Sequence, residues 1–250
     1  DVEVIALNKT PGQPFKLYPQ VYRLLKKLKP DVLHSCNLAA MEFAPVAALA
    51  RVPLRVHAEH GWDVGELDGQ NSRYRLLRRL YKPFVHEFIA VAEPQKDYLQ
   101  HSIGVAPEHL HVIPNGVDTE RFRPRRDDDA LPAGFPFRRG EHWIIGTIGR
   151  QAAVKNPLLL VDAFIQLMQS NAPGIETMRL MMVGDGPLYE SIVQRIAEAG
   201  LNDKAWLTGV RADVPELLRA MDCFVLPSLS EATSCTLQEA MATGLPIIAT

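Results

Sequence analysis

Short apolar runs alternate with helical stretches along nearly the whole chain, and this alternation constrains the fold more than any other feature. In the first half the strand-like runs are Val4–Leu7, Asp31–Ser35, Leu54–His57, Glu87–Val91 and Leu110–Ile113. In the second half they are Trp143–Ile148, Arg179–Val183, Ala205–Leu207, Cys223–Leu226 and Pro246–Ala249. Helical patterns fall between them. Pro19 suits a first helical turn, Val21, Leu24, Leu25 and Leu28 form an apolar stripe, and Pro30 closes that stretch. Further helices are predicted near Pro157–Met168, Pro187–Ala199, Val214–Ala220 and Thr236–Ala242. Repeated strand–helix–strand order predicts an α/β fold with parallel sheets, doubly wound by right-handed crossovers, and ligands at the carboxyl ends of the strands.

A chain of 250 residues, 47% of them hydrophobic, has room for two such domains. The segment 121–140 is charged, rich in Pro and Gly and without periodicity, so it reads as the linker between domains 1–120 and 141–250. The chain opens almost directly in one strand-like run and stops inside another, which predicts a fragment of a longer protein, both domains incomplete. Lys plus Arg number 27 against 29 Asp plus Glu, and this balance speaks against a nucleic-acid partner. No apolar run reaches the ~20 residues that span a bilayer. Three dispersed cysteines, Cys36, Cys223 and Cys235, argue against a disulfide framework and fit a reducing cytoplasm.

Three features lie where a parallel sheet places its ligands. Gly149-Arg150 follows a strand and Lys155 precedes a helix. Two cations so placed fit either a diphosphate clamp or a solvated loop, and the spacing is even-handed. Gly184-Asp185-Gly186-Pro187 is a tight turn before a helix, with a structural reading stronger than a ligand-binding one. The third feature runs from Ser230 to Ala242. A helix starting near Cys235 or Thr236 offers free amides and a positive dipole end to an anion. Glu231 lies on the loop before it and Glu239 about one turn inside. Thr236 and Glu239 have capping-box spacing, which slightly favours a mere helix cap for Glu239.

The string PSLSEATSCTLQEAMATGLPIIAT resembles the donor-site signature of the retaining glycosyltransferases of family 4, with its paired glutamates, here Glu231 and Glu239. Gly149, Arg150 and Lys155 match the phosphate clamp of that family, residues 184–187 its Gly-Asp-Gly-Pro turn, and Gly209-Val210-Arg211 its base-binding loop. Ile113-Pro114-Asn115-Gly116-Val117-Asp118 matches its hallmark between domains. The run from His57 to Val91 resembles a subgroup found beside bacterial exopolysaccharide gene sets of the exosortase type, and it equates His60 with the histidine that faces the donor sugar. His57 and Glu59 stand as neighbouring candidates. The resemblance implies two Rossmann-like domains (the GT-B fold) and a nucleotide-diphosphate sugar as donor, with the diphosphate and nucleotide held by Gly149, Gly184, Gly186, Val210, Arg211, Cys235, Thr236 and Glu239. It implies catalytic roles for His60, Arg150, Lys155 and Glu231, a glycan or lipid-linked acceptor, and neither cofactor nor metal. Ala232 stands where the family has Gly after the first glutamate. A glycine-rich loop before residue 1 and a crossing helix after residue 250 belong to the family pattern as well.

Arg73, Arg75, Arg78, Arg79 and Lys82, interleaved with Tyr74, Leu76, Leu77, Leu80 and Tyr81, fit an ordinary amphipathic helix or one lying on the inner face of the cytoplasmic membrane. Asp127, Asp128 and Asp129 read as solvated charges in the linker rather than metal ligands. His57-x-x-His60 at a strand end is a poor zinc motif.

Overall fold

The computed structural model describes residues 2–9, 12, 14–62, 69–170 and 172–250. The chain forms two compact units, Asp1–Asn115 and Gly116–Thr250. In the first, strands β1 (Val32–Cys36), β2 (Leu54–Glu59), β3 (Glu87–Ala90) and β4 (Leu110–Val112) form a parallel sheet in that order. Helices α1 (Tyr18–Leu28), α2 (Asn37–Met41), α3 (Ala44–Leu49), α4 (Ser72–Tyr81) and α5 (Glu93–Asp97) fill the connections. Val21 and Leu25 of α1 pack against Val46, Ala47 and Val52. Lys29 turns into the left-handed region and returns its N–H to Leu25, ending α1 just before Pro30. Asn71 caps α4, its side chain accepting from the N–H groups of Arg73 and Tyr74.

The second unit has a five-stranded parallel sheet of β5 (Trp143–Ile148), β6 (Met178–Val183), β7 (Ala205–Leu207), β8 (Cys223–Leu226) and β9 (Ile247–Ala249), in spatial order β7-β6-β5-β8-β9. Helices α6 (Pro157–Met168), α7 (Tyr189–Glu198), α8 (Val214–Ala220) and α9 (Cys235–Ala242) connect the strands. Leu180, Met181, Val183 and Phe224 are at most 2% exposed, because strands covered by helices on both faces have no solvated side. The chain steps outward from β5 to β7 and then returns to β5's other side with β8. The strand order therefore reverses between β5 and β8, and there a crevice opens beyond the carboxyl ends.

Two sequence expectations need correction. Among the described residues Val4–Leu7 pairs with no strand, and Val2 and Val4 are about nine-tenths exposed (90% and 88%). An apolar run becomes a strand only where a neighbour takes its backbone hydrogen bonds. The segment 121–140 is integral to the second unit: Phe122 and Phe137 are buried with Ile144, Leu217, Met221 and Phe224. Asp129 is likewise no solvated charge. Its carboxylate accepts from Arg123 at 2.6 and 2.9 Å and from the Arg126 N–H at 2.7 Å. These hydrogen bonds, Arg123's first, hold its pKa far below the usual aspartate value.

Candidate functional site at the carboxyl edge of the second sheet

Three loops are laced together backbone to backbone beyond β5 and β6. The Gly149 N–H donates to Val183 O at 3.0 Å, Gln151 N–H to Asp185 O at 2.9 Å, and Gly184 N–H to Gly209 O at 2.8 Å. A Cβ at Gly184 would lie 2.1 Å from Gly149 O, and one at Gly186 2.5 Å from Gln151 O. Both glycines thus answer to loop packing, and the same packing holds Gly149 and Arg150 at the strand end. Arg150 is exposed, and no ion pair engages it among the described residues.

Lys155 ends a short 3-10 turn, Ala153–Lys155, that leads into α6. Its Nζ lies 2.5 Å from Glu231 Oε1, which also accepts from Ser228 Oγ at 2.7 Å. The Leu229 N–H donates to Val154 O at 2.8 Å, tying the loop after β8 to the loop after β5. Gly149, Arg150, Lys155 and Ser228 line one cleft there, at the reversal of strand order. Two residues 76 positions apart in sequence, expected to serve separate roles, therefore meet as an ion pair beside this cleft. A larger open cavity of the same unit, lined by Arg126, Phe135, His142 and Trp143, lies at the opposite, amino ends of the strands and away from these residues.

Helix α9 starts at Cys235, and Ser234 caps it, its Oγ accepting from the Leu237 N–H at 3.3 Å. This corrects the capping-box expectation: Glu239 does not cap. Ser234 went unnoticed in the sequence, although a serine directly before a helix start is the usual signal. Ser234 Oγ also meets Thr236 Oγ1 at 3.1 Å, while Cys235 is exposed. Glu239 is half-buried. Burial raises its carboxyl pKa, and the nearby Arg121 charge opposes the rise. In the loop of residues 209–211 Val210 is 79% exposed. Arg211 is committed elsewhere: it pairs with Asp213 at 2.6 and 2.8 Å, donates to Ala133 O at 3.0 Å and stacks on Trp206.

In the first unit His60 is exposed directly after β2, and its N–H donates to Asn37 Oδ1 at 2.9 Å. His57 and Glu59 are buried, at 0% and 2% exposure. Among the described residues no group of three His, Cys, Asp or Glu could hold a metal ion. Residues 63–68 of the run that suggested the subgroup lie outside the described residues. The basic helix is less free than its sequence implies. Arg78 is fully buried against Glu59, Arg79 donates to Ser102 O, and Lys82 donates to Gly104 O. No helix among the described residues is long and apolar enough to cross a membrane.

Comparison with known proteins bears on the family and fold of both units. The family described as Glycosyltransferase Family 4 matches residues 2–121, and that described as Glycosyl transferases group 1 matches residues 142–250. The chain is 31% identical over 232 residues to the UDP-Gal:alpha-D-GlcNAc-diphosphoundecaprenol alpha-1,3-galactosyltransferase of Escherichia coli, covering 91% of this chain and 59% of that protein. It is 32% identical over 210 residues to the putative glycosyltransferase EpsF of Bacillus subtilis, covering 82% and 53%. It thus spans little more than half the length of these relatives. Anabaena Alr3699/HepE, solved in complex with UDP and glucose, superimposes with a TM-score of 0.74 at 21% identity, over 99% of this chain and 66% of that one, and shares its fold. With two parallel-sheet α/β units of GT-B type, matched by these families over residues 2–121 and 142–250, the chain is a member of the family 4 glycosyltransferases.

Proposed function

We propose that the protein is a retaining glycosyltransferase that moves a sugar from a nucleotide-diphosphate sugar to a hydroxyl acceptor, in the synthesis of exopolysaccharide or another cell-surface glycan. The second unit binds the donor and the first serves the acceptor side. The observation that carries this reading is the meeting of Arg150, Lys155 and Glu231 at the strand-order reversal of the second unit's sheet. Arg150 and Lys155 neutralise the diphosphate as its bond to the anomeric carbon breaks, and the N-terminal amides of α9, at Cys235 and Thr236, add their dipole. The acceptor hydroxyl approaches the same face. Lys155 and Glu231 are each partly exposed, and such a pair is worth only about 0–1 kcal/mol, so a diphosphate can take the lysine at little cost. Glu231 then accepts from sugar hydroxyls, Glu239 from the ribose, and the exposed surface at Val210 meets the base. The Arg211 guanidinium holds the loop in shape.

The named acceptor of the E. coli relative is lipid-linked, and a lipid-linked acceptor here would lie at the inner face of the cytoplasmic membrane. Leu76, Leu80 and Phe84 are exposed at one-turn spacing beside the exposed Arg73, a surface suited to peripheral contact with anionic lipid.

The test is a thermal-shift screen of the full-length protein with nucleotides and nucleotide sugars, followed by turnover assays with and without acceptor. Stabilisation by a nucleoside diphosphate and acceptor-dependent release of it are expected. Equal release without acceptor would replace transfer by hydrolysis, and conversion of the donor to an isomer with its nucleotide still attached would replace it by epimerisation. Binding without any turnover would make the protein a nucleotide-binding scaffold.

A further inference from the structure

A chain of buried polar groups runs beneath His60. Ser35 Oγ lies 2.9 Å from His57 Nδ1, and His57 Nε2 lies 3.3 Å from Glu59 Oε1. A carboxylate only accepts, so Nε2 carries the imidazole proton. Arg78 on α4 donates to Glu59 through Nε at 2.7 Å and Nη2 at 3.3 Å, with its guanidinium over the Tyr98 ring. Tyr98 in turn meets Trp62, two residues beyond His60, with their rings nearly perpendicular. Burial alone would raise the Glu59 pKa; hydrogen bonds from His57 and Arg78, with the Arg78 charge, bring it below the usual value.

Such a cluster is a costly thing to build under a sheet. Apolar residues of the same volume would stabilise the site as well or better, because taking a carboxylate and a guanidinium out of water consumes most of what their attraction returns. What an ion pair supplies and a methyl contact does not is direction: hydrogen bonds at fixed angles that set where the last residue of β2 can lie. Glu59 is that residue, and His60 follows it. On its other side, the His60 N–H is held by Asn37, which sits in the left-handed conformation (φ 59°) at the start of α2. The His60 backbone is therefore clamped from α2 above and, through Glu59, from α4 below, while its side chain projects into solvent.

We propose that Glu59 and Arg78 are positioning residues that act through His60, with Asn37 as the second clamp. The inference rests on the reading of His60 as a catalytic residue, and the test separates the two. The full-length protein is prepared as Glu59→Gln, as the paired Glu59→Met/Arg78→Met variant that keeps volume and leaves no lone charge, as His60→Ala, and as His60→Ala combined with each. Histidine ring resonances of 15N-labelled protein are recorded, the His60 signal being the one that His60→Ala removes. Turnover of UDP-glucose, or of whichever donor the screen identifies, gives kcat and KM.

The His60 resonance should shift or broaden in Glu59→Gln and in the paired variant. The kcat should fall by about tenfold to a hundredfold, the range a small misplacement of a reacting group produces, with donor KM little changed. Combined with His60→Ala, neither change should reduce kcat further. A folded variant with an unmoved His60 resonance overturns the inference, and so do kcat losses that multiply with that of His60→Ala. Failure of both Glu59→Gln and the paired variant to fold overturns it too, since the cluster would then be a folding element. A wild-type rate for His60→Ala, with the resonance still moved by the paired variant, removes the catalytic reading of His60 and leaves the positioning intact.

Discussion

Each unit sets a glutamate against a cation near the carboxyl end of a strand, yet the two pairs have opposite characters. Glu59 and Arg78 are 3% and 0% exposed at the side chain; Glu231 and Lys155 are 23% and 33% exposed. The first pair is fixed, because parting it strands a charge in a medium that cannot solvate it. The second is exchangeable, because water or another ion can replace either partner cheaply. The contrast in burial fits the proposed roles, a strut for the first pair and a ligand site for the second, supplied by similar residue types.

Breaking the strut should give the largest effect. Glu59→Ala or Arg78→Ala in the full-length protein should cost about 3–5 kcal/mol, read from denaturant titration of the first unit's transition. A midpoint unchanged from wild type would mean that the pair is not sealed from water. Next comes the ligand site, where Arg150→Ala or Lys155→Ala should cost about 2–4 kcal/mol of transition-state stabilisation. The Lys155 change should leave thermal stability close to wild type, which distinguishes it sharply from Arg78→Ala. Near-wild-type transfer by either variant would remove the diphosphate clamp.

Glu239 sharpens the contrast from a third position, half-buried and not the cap of its helix. Glu239→Gln should weaken nucleotide binding by about 1 kcal/mol, since a neutral acceptor holds ribose hydroxyls less well than a carboxylate, and should leave stability unchanged. Because burial raises the Glu239 pKa, affinity should fall on acidification at a pH above the usual glutamate value of about 4.3, and the Gln variant should lose that limb. Isothermal titration across pH checks both. Ser234→Ala should do the reverse, costing about 1 kcal/mol of stability through the lost cap, visible in the second unit's melting.

The smallest effect concerns Asp129. Its folded pKa is depressed, so its contribution to stability is complete above the unfolded value of about 3.9 and is lost as pH falls below it. Asp129→Asn should flatten that part of the midpoint-against-pH curve. A variant as acid-sensitive as wild type would mean that its arginine partners do not hold the segment.

Most of the fold was legible because strand and helix periods are local. The runs Trp143–Ile148, Ala205–Leu207 and Cys223–Leu226, and the helices Pro157–Met168 and Val214–Ala220, were read with the bounds the structure shows. Val4–Leu7 was misread because pairing is not local. The segment 121–140 was misread because Phe122 and Phe137, spaced without period, find their neighbours in sequence-distant elements, among them β5, α8 and β8. At the site, Glu231, Glu239, Arg150 and Lys155 stood out through resemblance, whereas Ser228 and Ser234 did not, being common residues in an ordinary loop.

The sequence by itself determined the alternation of elements, the family, and the residue types able to meet a diphosphate sugar. Local propensity and motif spacing suffice for that, since both are properties of neighbouring residues. Only the tertiary structure decided which charges are spoken for. It buried Arg78 out of a helix that reads as uniformly basic, tied Arg211 to Asp213, freed Glu239 from capping, and joined Lys155 to Glu231. Solvation and pairing depend on atoms brought close from distant points of the chain, and no local pattern encodes how much water a charge retains.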